Sequence, residues 1–231
     1  MTLNANLKQI QKIIAETQTL NHEASNHVLL LAVSKQQSSE KIKALYELGV
    51  TDFGENYLQE AHVKIAALAY LPIVWHFIGP IQSNKCKEIA KLFNWVHSID
   101  RFSIAQHLNK HRDPNAVSLN VCLQIKLIDE NNKSGISLDE AAELAFAVNQ
   151  LPHLHLRGLM TIPPPQKNEQ DQYHLFLQLK QLMHTLNQKL GLTMDTLSMG
   201  MSDDLIPAIQ AGSTIVRVGQ ALFGPRTGIT A

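Results

Sequence analysis

The sequence has 231 residues, 45% of them hydrophobic, which is typical of one α/β domain spanning residues 1–231. Lysine plus arginine and aspartate plus glutamate each total 20, so a broad surface for nucleic acid or anionic membranes is excluded. Two cysteines are too few for a disulfide framework, which favours a reducing compartment. There is neither a secretory leader nor an apolar run of transmembrane length, so we expect a cytoplasmic protein.

The predicted elements alternate between helices and short strands. An amphipathic helix comes first, because apolar residues recur every three or four positions at Leu3, Leu7, Ile10 and Ile14. Short apolar runs then predict strands at 29–33, 51–54, 73–78, 95–99, 119–125, 154–160, 196–199 and 214–218. Helices are predicted at 38–48, 57–68, 83–93, 101–108, 138–148, 170–189 and 202–210, with Asp100 as the cap of the fourth.

Eight strands, each followed by a helix or the start of one, predict a single (β/α)8 TIM-type barrel with an extra N-terminal helix. The alternative is an open doubly wound sheet. That fold would normally carry a glycine-rich turn after its first strand, and residues 33–38 contain no glycine.

Lys35 follows the first predicted strand, at the end where α/β folds place their chemistry. Burial there disfavours the ammonium form, and a partly neutral lysine amine can form a Schiff base with an aldehyde. The alternative is a lysine that only ends the strand and extends into water.

A candidate phosphate site follows the seventh strand, where Gly200 and Ser202 precede a predicted helix. Ser202 is predicted at the N-cap, and the free N–H groups of a helix start attract anions. The alternative is ordinary capping by Ser202 with Asp203 and Asp204, whose carboxylates we expect to point away from a phosphate.

Arg217 lies among apolar residues of the eighth strand, where an unpaired guanidinium is costly. It either points into a ligand site at the barrel mouth or pairs with an acid such as Asp52 or Glu55. Gly219 and Gln220, which follow it, offer backbone donors to a phosphate.

A Schiff-base lysine, a phosphate site and an arginine together suggest pyridoxal 5′-phosphate (PLP) as cofactor. Because arginine does not readily give up its proton, a ring nitrogen facing Arg217 stays mostly unprotonated. This argues against transaminase-type carbanion chemistry.

These residues resemble the pyridoxal phosphate homeostasis proteins, the YggS/PROSC family related to the alanine racemase N-terminal barrel. The matching blocks run through nearly the whole chain and include 32–35, 52–60, 75–85, 97–101, 133–135, 156–160, 197–204, 216–219 and 221–224. The resemblance implies that Lys35 binds PLP, that Arg217 faces the ring nitrogen, and that Asn56 and Met160 lie near the ring.

The candidate cofactor-binding residues combine that resemblance with the positions that a barrel places at its mouth. They are Lys35 (Schiff base), Asn56, Met160, Ser198, Gly200, Met201, Ser202, Arg217, Gly219 and Gln220. The sequence departs from the family pattern after Lys35, where Gln-Gln-Ser replaces Thr-Lys-Pro, and at Gln220, where threonine is usual. Loss of that threonine removes a hydroxyl contact to the phosphate.

The family implies a role in intracellular vitamin B6 homeostasis without an assigned reaction, with PLP and PLP-dependent apo-enzymes as partners. We expect a non-enzymatic monomer. The alternative is a weak racemase, which needs an acid or base on both faces of the substrate carbon. That enzyme takes one of them from a second domain, for which we expect no room before Ala231.

A metal enzyme is a third class. His107 and His111 have the spacing of one helical face, but no other ligand motif accompanies them, so we expect surface residues and no metal. We expect His76 to be a core histidine with its hydrogen bonds satisfied.

Overall fold

The computed structural model describes residues 2–20, 28–128 and 134–224. Lys133, from one of the family blocks, and Ala231 lie outside the described residues. Within these ranges, we find no helix with both the length and the apolar character that a membrane span requires.

Eight short strands alternate with helices, as the sequence predicts. The strands are β1 (Leu29–Val33), β2 (Asp52–Glu55), β3 (Val74–Phe77), β4 (Trp95–Ile99), β5 (Leu119–Gln124), β6 (Leu154–Met160), β7 (Thr196–Ser198) and β8 (Ile215–Val218). The helices are α1 (Leu3–Leu20), α2 (Ser39–Glu47), α3 (Leu58–Ala67), α4 (Cys86–Leu92), α5 (Phe102–His111), α6 (Ala141–Asn149), α7 (Glu169–Leu190), α8 (Leu205–Gln210) and α9 (Gln220–Phe223). A 3₁₀ turn, Ser83–Lys85, precedes α4.

The strands form a closed barrel in sequence order, and β1 pairs with both β2 and β8. Every strand pair is parallel. The TIM-type prediction is therefore confirmed, and the open-sheet alternative is wrong. Parallel closure brings the carboxyl ends of all eight strands to one face of the barrel.

The register shows which side chains point into the barrel. Val33 lies opposite Gly54, and Gly54 lies opposite His76. Leu31 lies opposite Arg217 and, two residues before Val33, shares its face. A Cβ at Gly54 would touch the side chains of Leu31 and Ile78, so this is the interior face.

The apolar core fills the space between the barrel and its helices. Phe53 and Val96, on the outer face of the strands, are fully buried together with Ile42 of α2 and Ile104 of α5. The first helix buries Leu7, Ile10, Ile14 and Thr17 on its predicted face and packs against α8 and α9. The period of this helix thus predicts its packing correctly.

Several element boundaries differ from the prediction. The cap of α5 is Arg101 rather than Asp100, whose carboxylate instead accepts a 2.6 Å hydrogen bond from the Arg101 guanidinium. Phe93 follows α4 in extended backbone instead of ending it. Gly191 ends α7 in the left-handed region at φ 65, as a glycine after a helix commonly does.

Candidate functional site

A cavity of about 470 Å³ opens at the carboxyl ends of the strands. This volume lies within the range of small-molecule sites, roughly 300–1,000 Å³. Its lining consists of Val33, Lys35, Asn56, Ile78, Ile162, Met201, Ser202, Asp203, Arg217, Gly219, Gln220 and Ala221.

Most of the predicted binding residues line this cavity, and three do not. Met160 and Ser198 end β6 and β7 side by side, and both are fully buried in the barrel. Gly200 follows β7 at φ 91, and a Cβ there would lie 2.5 Å from the Ala208 Cβ. Met160, Ser198 and Gly200 therefore support the cavity wall instead of forming its surface.

Lys35 lies half-buried two residues after the end of β1, in a turn held by contacts to its neighbour Ser34. The Ser34 N–H donates to the Gly54 carbonyl at 2.9 Å, and the Ser34 hydroxyl donates to Glu55 Oε1 at 2.6 Å. Lys64 Nζ donates to the Ser34 carbonyl at 2.8 Å. These contacts fix the backbone that carries Lys35.

The next residue, Gln36, has a positive φ of 58, the only non-glycine residue of the described chain with such a value. A glutamine in the left-handed region stores strain of about 1 kcal/mol or more. Its N–H donates to Glu60 Oε2 at 2.8 Å, and the same carboxylate oxygen lies 3.0 Å from Lys64 Nζ. The turn after Lys35 is therefore strained and anchored from α3.

Lys64 also pairs with Glu55 at 2.8 Å, and both side chains are buried. Burial raises the pKa of Glu55, while the Lys64 ammonium and the Ser34 hydroxyl oppose that rise. Glu55 Oε2 is buried without a hydrogen-bond partner among the described residues. This pair is structural support beneath the turn that carries Lys35.

Arg217 is 4% exposed and makes no ion pair with Asp52 or Glu55, so that alternative is wrong. Its Nη1 donates to the Ser198 carbonyl at 2.6 Å and to Ser198 Oγ at 2.9 Å, and its Nη2 donates to the Thr161 carbonyl at 2.9 Å. Among the described residues, these contacts occupy three of its five N–H donors. The other two have no hydrogen-bond partner among the described residues, and Arg217 lines the cavity.

Burial lowers the pKa of Arg217 to about 10, and the nearby Asp204 carboxylate opposes the fall. The guanidinium thus remains charged at neutral pH. A charged donor that is held by carbonyl groups can bind a neutral nitrogen or oxygen of a ligand without giving up its proton.

Asn56 follows β2 and presents Oδ1, which is buried without a partner among the described residues. Gly79 fixes its backbone, because a Cβ at Gly79 would lie 2.1 Å from the Asn56 carbonyl oxygen. An unsatisfied buried acceptor in the wall of a cavity is suited to a ligand donor.

The predicted phosphate end differs from expectation in one respect. Ser202 lies in a turn, and α8 begins only at Leu205 with Asp204 as its cap, so the prediction of Ser202 as N-cap is wrong. Asp204 turns back and accepts from the Met201 N–H, and Asp203 is an exposed residue at the edge of the cavity lining.

A short helix that the sequence did not predict, α9, begins at Gln220 with Gly219 as its cap. The first N–H groups of a helix have no partner within it. Gly219 and Gln220 therefore contribute backbone donors at the cavity beside Ser202.

The sequence reasoning missed the apolar walls, Val33, Ile78 and Ile162, and a set of buried polar side chains below the cavity. His97 is fully buried and contacts both His76 and Ser198. The sequence did carry a signal for its burial, because His97 lies two residues after Trp95 on an apolar strand and so shares its face. His76 is a core histidine, as expected.

The remaining histidine predictions concern the surface. His107 is exposed, and His111 is partly exposed on the same helix. Within the part of the chain that the structure describes, no group of histidine, cysteine or acidic side chains could hold a metal ion.

The family model of the alanine racemase N-terminal domain matches residues 6–227. The pyridoxal phosphate homeostasis protein of Pseudomonas aeruginosa is 49% identical over 225 residues, which cover 97% of this chain and 96% of the relative. The chain belongs to this family. The Escherichia coli K12 member is 45% identical over 224 residues, which cover 96% of this chain and 95% of that relative.

A solved structure extends the family comparison to a liganded state. PipY from Synechococcus elongatus, solved with PLP bound, superposes with a TM-score of 0.81 at 34% identity. The match covers 92% of this chain and 100% of the PipY chain. The resemblance inferred from the sequence blocks is confirmed, and the barrel is the family's fold.

Proposed function

We propose that this chain binds PLP in the 470 Å³ cavity and acts in vitamin B6 homeostasis, like the proteins whose family it belongs to. The observation that carries the proposal is convergence. Lys35, Arg217 and Ser202 are far apart in sequence, yet all three line one cavity.

The donors and acceptors of the lining fit this cofactor. When bound, PLP supplies an aldehyde that reacts with a lysine amine, together with a ring nitrogen and a phosphate. Lys35 provides the amine, Arg217 donates to the ring nitrogen, and Asn56 Oδ1 accepts from the ligand. Ser202, Gly219 and Gln220 supply hydroxyl and backbone donors for the phosphate.

The ionisable side chains favour a carrier over an enzyme. In the described lining they are Lys35, Asp203 and Arg217, and Arg217 holds its proton at neutral pH because its pKa is about 10. Racemisation requires proton donors and acceptors on both faces of a substrate carbon. Asp203 is exposed and Lys35 is half-buried, so Lys35 is the partly buried proton acceptor that the described lining offers.

Replacing Lys35 with alanine tests covalent attachment. Wild-type protein incubated with PLP should absorb near ~420 nm, as a lysine-bound form of the cofactor does, and Lys35→Ala should not. Lys12→Ala, on the exposed side of α1, is the matched control and should behave like wild type. Unchanged yellow colour in Lys35→Ala would contradict the proposal.

The carrier role needs a separate assay. Purified protein loaded with PLP and mixed with single L-amino acids should show no racemisation or transamination above the rate of free PLP. Turnover above that rate would instead support the racemase alternative. Delivery of PLP to apo-enzymes, a monomeric state and a cytoplasmic location remain predictions.

A further inference from the structure

Five buried or partly buried polar side chains form an unbroken line through the barrel. Asp52 Oδ1 lies 3.0 Å from His76 Nε2, and His76 Nδ1 lies 2.9 Å from His97 Nε2. His97 Nδ1 lies 2.8 Å from Ser198 Oγ, which lies 2.9 Å from Arg217 Nη1. The line joins the amino end of β2 to the cavity at the carboxyl end of β8.

This line is costly to build. His76, His97 and Ser198 are fully buried. The interior of such barrels is normally filled by branched apolar side chains. Buried polar groups are tolerated where each finds a partner, and a partly satisfied network is worse than an apolar core. Here every link has hydrogen-bond length.

The two ends determine the direction of every hydrogen bond. An ionised Asp52 can only accept, so His76 Nε2 carries the proton and His76 Nδ1 accepts. His97 must then donate from Nε2, which leaves its Nδ1 to accept from the Ser198 hydroxyl. Arg217 can only donate, and Ser198 Oγ receives its Nη1–H.

Both histidines are therefore neutral and protonated on Nε2. Burial lowers the pKa of His76, which the Asp52 carboxylate partly opposes. Burial, with smaller effects from His76 and Arg217, holds the pKa of His97 well below its usual value. An extra proton on Nδ1 of His76 would also face the Nε2–H of His97, which would place two donors opposite each other.

Other groups hold the line in place. Thr51 Oγ1 donates to Asp52 Oδ2 at 2.7 Å, and Trp95 stacks on the His76 ring at 5.5 Å between centroids. Asp52 also lines a second cavity of about 430 Å³ under α1, at the opposite end of the barrel from the PLP site. The acidic end of the line is thus the end nearer to water.

We propose that Asp52, His76, His97 and Ser198 form a relay, here called the barrel relay, whose aligned hydrogen bonds position the Arg217 guanidinium against the cofactor ring. The proposal rests on the function proposed above, in which Arg217 meets the ring nitrogen. Aligned hydrogen bonds polarise one another, so the Asp52 carboxylate influences how strongly Arg217 is held. The relay residues are positioning residues, since none of the four lines the PLP cavity.

The first test needs no cofactor. Imidazole ¹⁵N NMR of the PLP-free protein near neutral pH should show His76 and His97 neutral, with Nε2 protonated and Nδ1 bare. Asp52→Asn should disturb this pattern, because an amide can donate as well as accept and no longer imposes one direction. An Nδ1-protonated or charged ring at either position in the wild type would overturn the relay.

The second test asks whether the relay acts on Arg217. His97→Leu removes both hydrogen bonds, whereas His97→Gln can donate to His76 and accept from Ser198 and so keeps the direction. We expect His97→Leu to weaken PLP binding at least about tenfold and to shift the visible absorption maximum, and His97→Gln to restore much of both. His107→Leu, on the exposed face of α5, is the matched control.

The outcomes separate the two proposals. Wild-type protein that binds no PLP would contradict the proposed function, while the NMR pattern would still decide the direction of the relay. PLP binding and colour that are the same in His97→Leu as in wild type would overturn the positioning role. If His97→Leu does not fold, Asp52→Asn and Ser198→Ala measured on the same PLP titration decide it, and wild-type behaviour in both would overturn it.

Discussion

One buried side chain, Lys64, stabilises the turn that contains Lys35. Lys64 reaches from α3 to the Ser34 carbonyl, to Glu55 and to Glu60, and its side chain is 8% exposed. One ammonium thereby pairs with two carboxylates and donates to the Ser34 carbonyl. Its removal would leave Glu55 as a buried charge without a counterion.

We therefore predict that Lys64→Met lowers the free energy of unfolding by about 3–5 kcal/mol, the usual cost of breaking a buried pair from one side. Urea unfolding followed by circular dichroism measures it. Lys43→Met, which removes an exposed pair with Glu47 on α2, should leave the transition almost unchanged. Equal effects of the two substitutions would show that burial of the Lys64 pair does not matter.

Neighbouring elements position the side chains that the chain order separates. The loop after β3 packs against the residue after β2, where Gly79 touches the Asn56 backbone and the Ser98 hydroxyl donates to the Gly79 carbonyl at 2.5 Å. Asn56 Oδ1, the unsatisfied acceptor of the cavity, is placed by this contact. A glycine is required here for close approach and not for its backbone angle.

We predict that Gly79→Ala moves Asn56, weakens PLP binding several-fold and costs about 1–3 kcal/mol of stability, as overpacking does. Gly158→Ala is the matched comparison, because its Cβ would lie 1.8 Å from the Thr196 carbonyl oxygen, away from Asn56. PLP titration beside urea unfolding separates the effects. Similar loss of PLP binding in both variants would show that Asn56 has no particular part.

At the scale of the whole molecule, the barrel buries two histidines in their neutral form. The unfolded chain binds a proton at each of them near the ordinary value of 6.5, whereas the folded chain does so only at lower pH. The unfolded state therefore binds more protons below pH 6.5, and acid favours it. The contribution of these groups is fully present above 6.5 and is lost as pH falls towards their folded pKa values.

We predict that the free energy of unfolding decreases as pH falls below 6.5, by at most about 1.4 kcal/mol per pH unit for each histidine. Urea unfolding at a series of pH values gives the slope, which should be shallower in His97→Gln and unchanged in His107→Gln. A wild-type slope that His97→Gln does not alter would mean that His97 is already charged in the fold.

The sequence alone determined the eight strands and seven of the helices that follow them, because a strand that is apolar on both faces and a helix with one apolar face are each recognisable locally. It also placed Lys35, Ser202 and Arg217 at strand ends, and closure of a parallel barrel brings such ends together. The short α9 and the late start of α8 were missed, since both depend on how the chain packs around the cavity.

Only the tertiary structure decided what the buried polar groups do. Arg217 could have paired with an acid, and no local pattern shows that carbonyl groups and Ser198 hold it instead. His97 and Ser198 are 101 residues apart, on strands that meet only across the barrel interior. Hydrogen bonds across a closed barrel depend on register and strand closure, which are properties of the assembled sheet and not of any one segment.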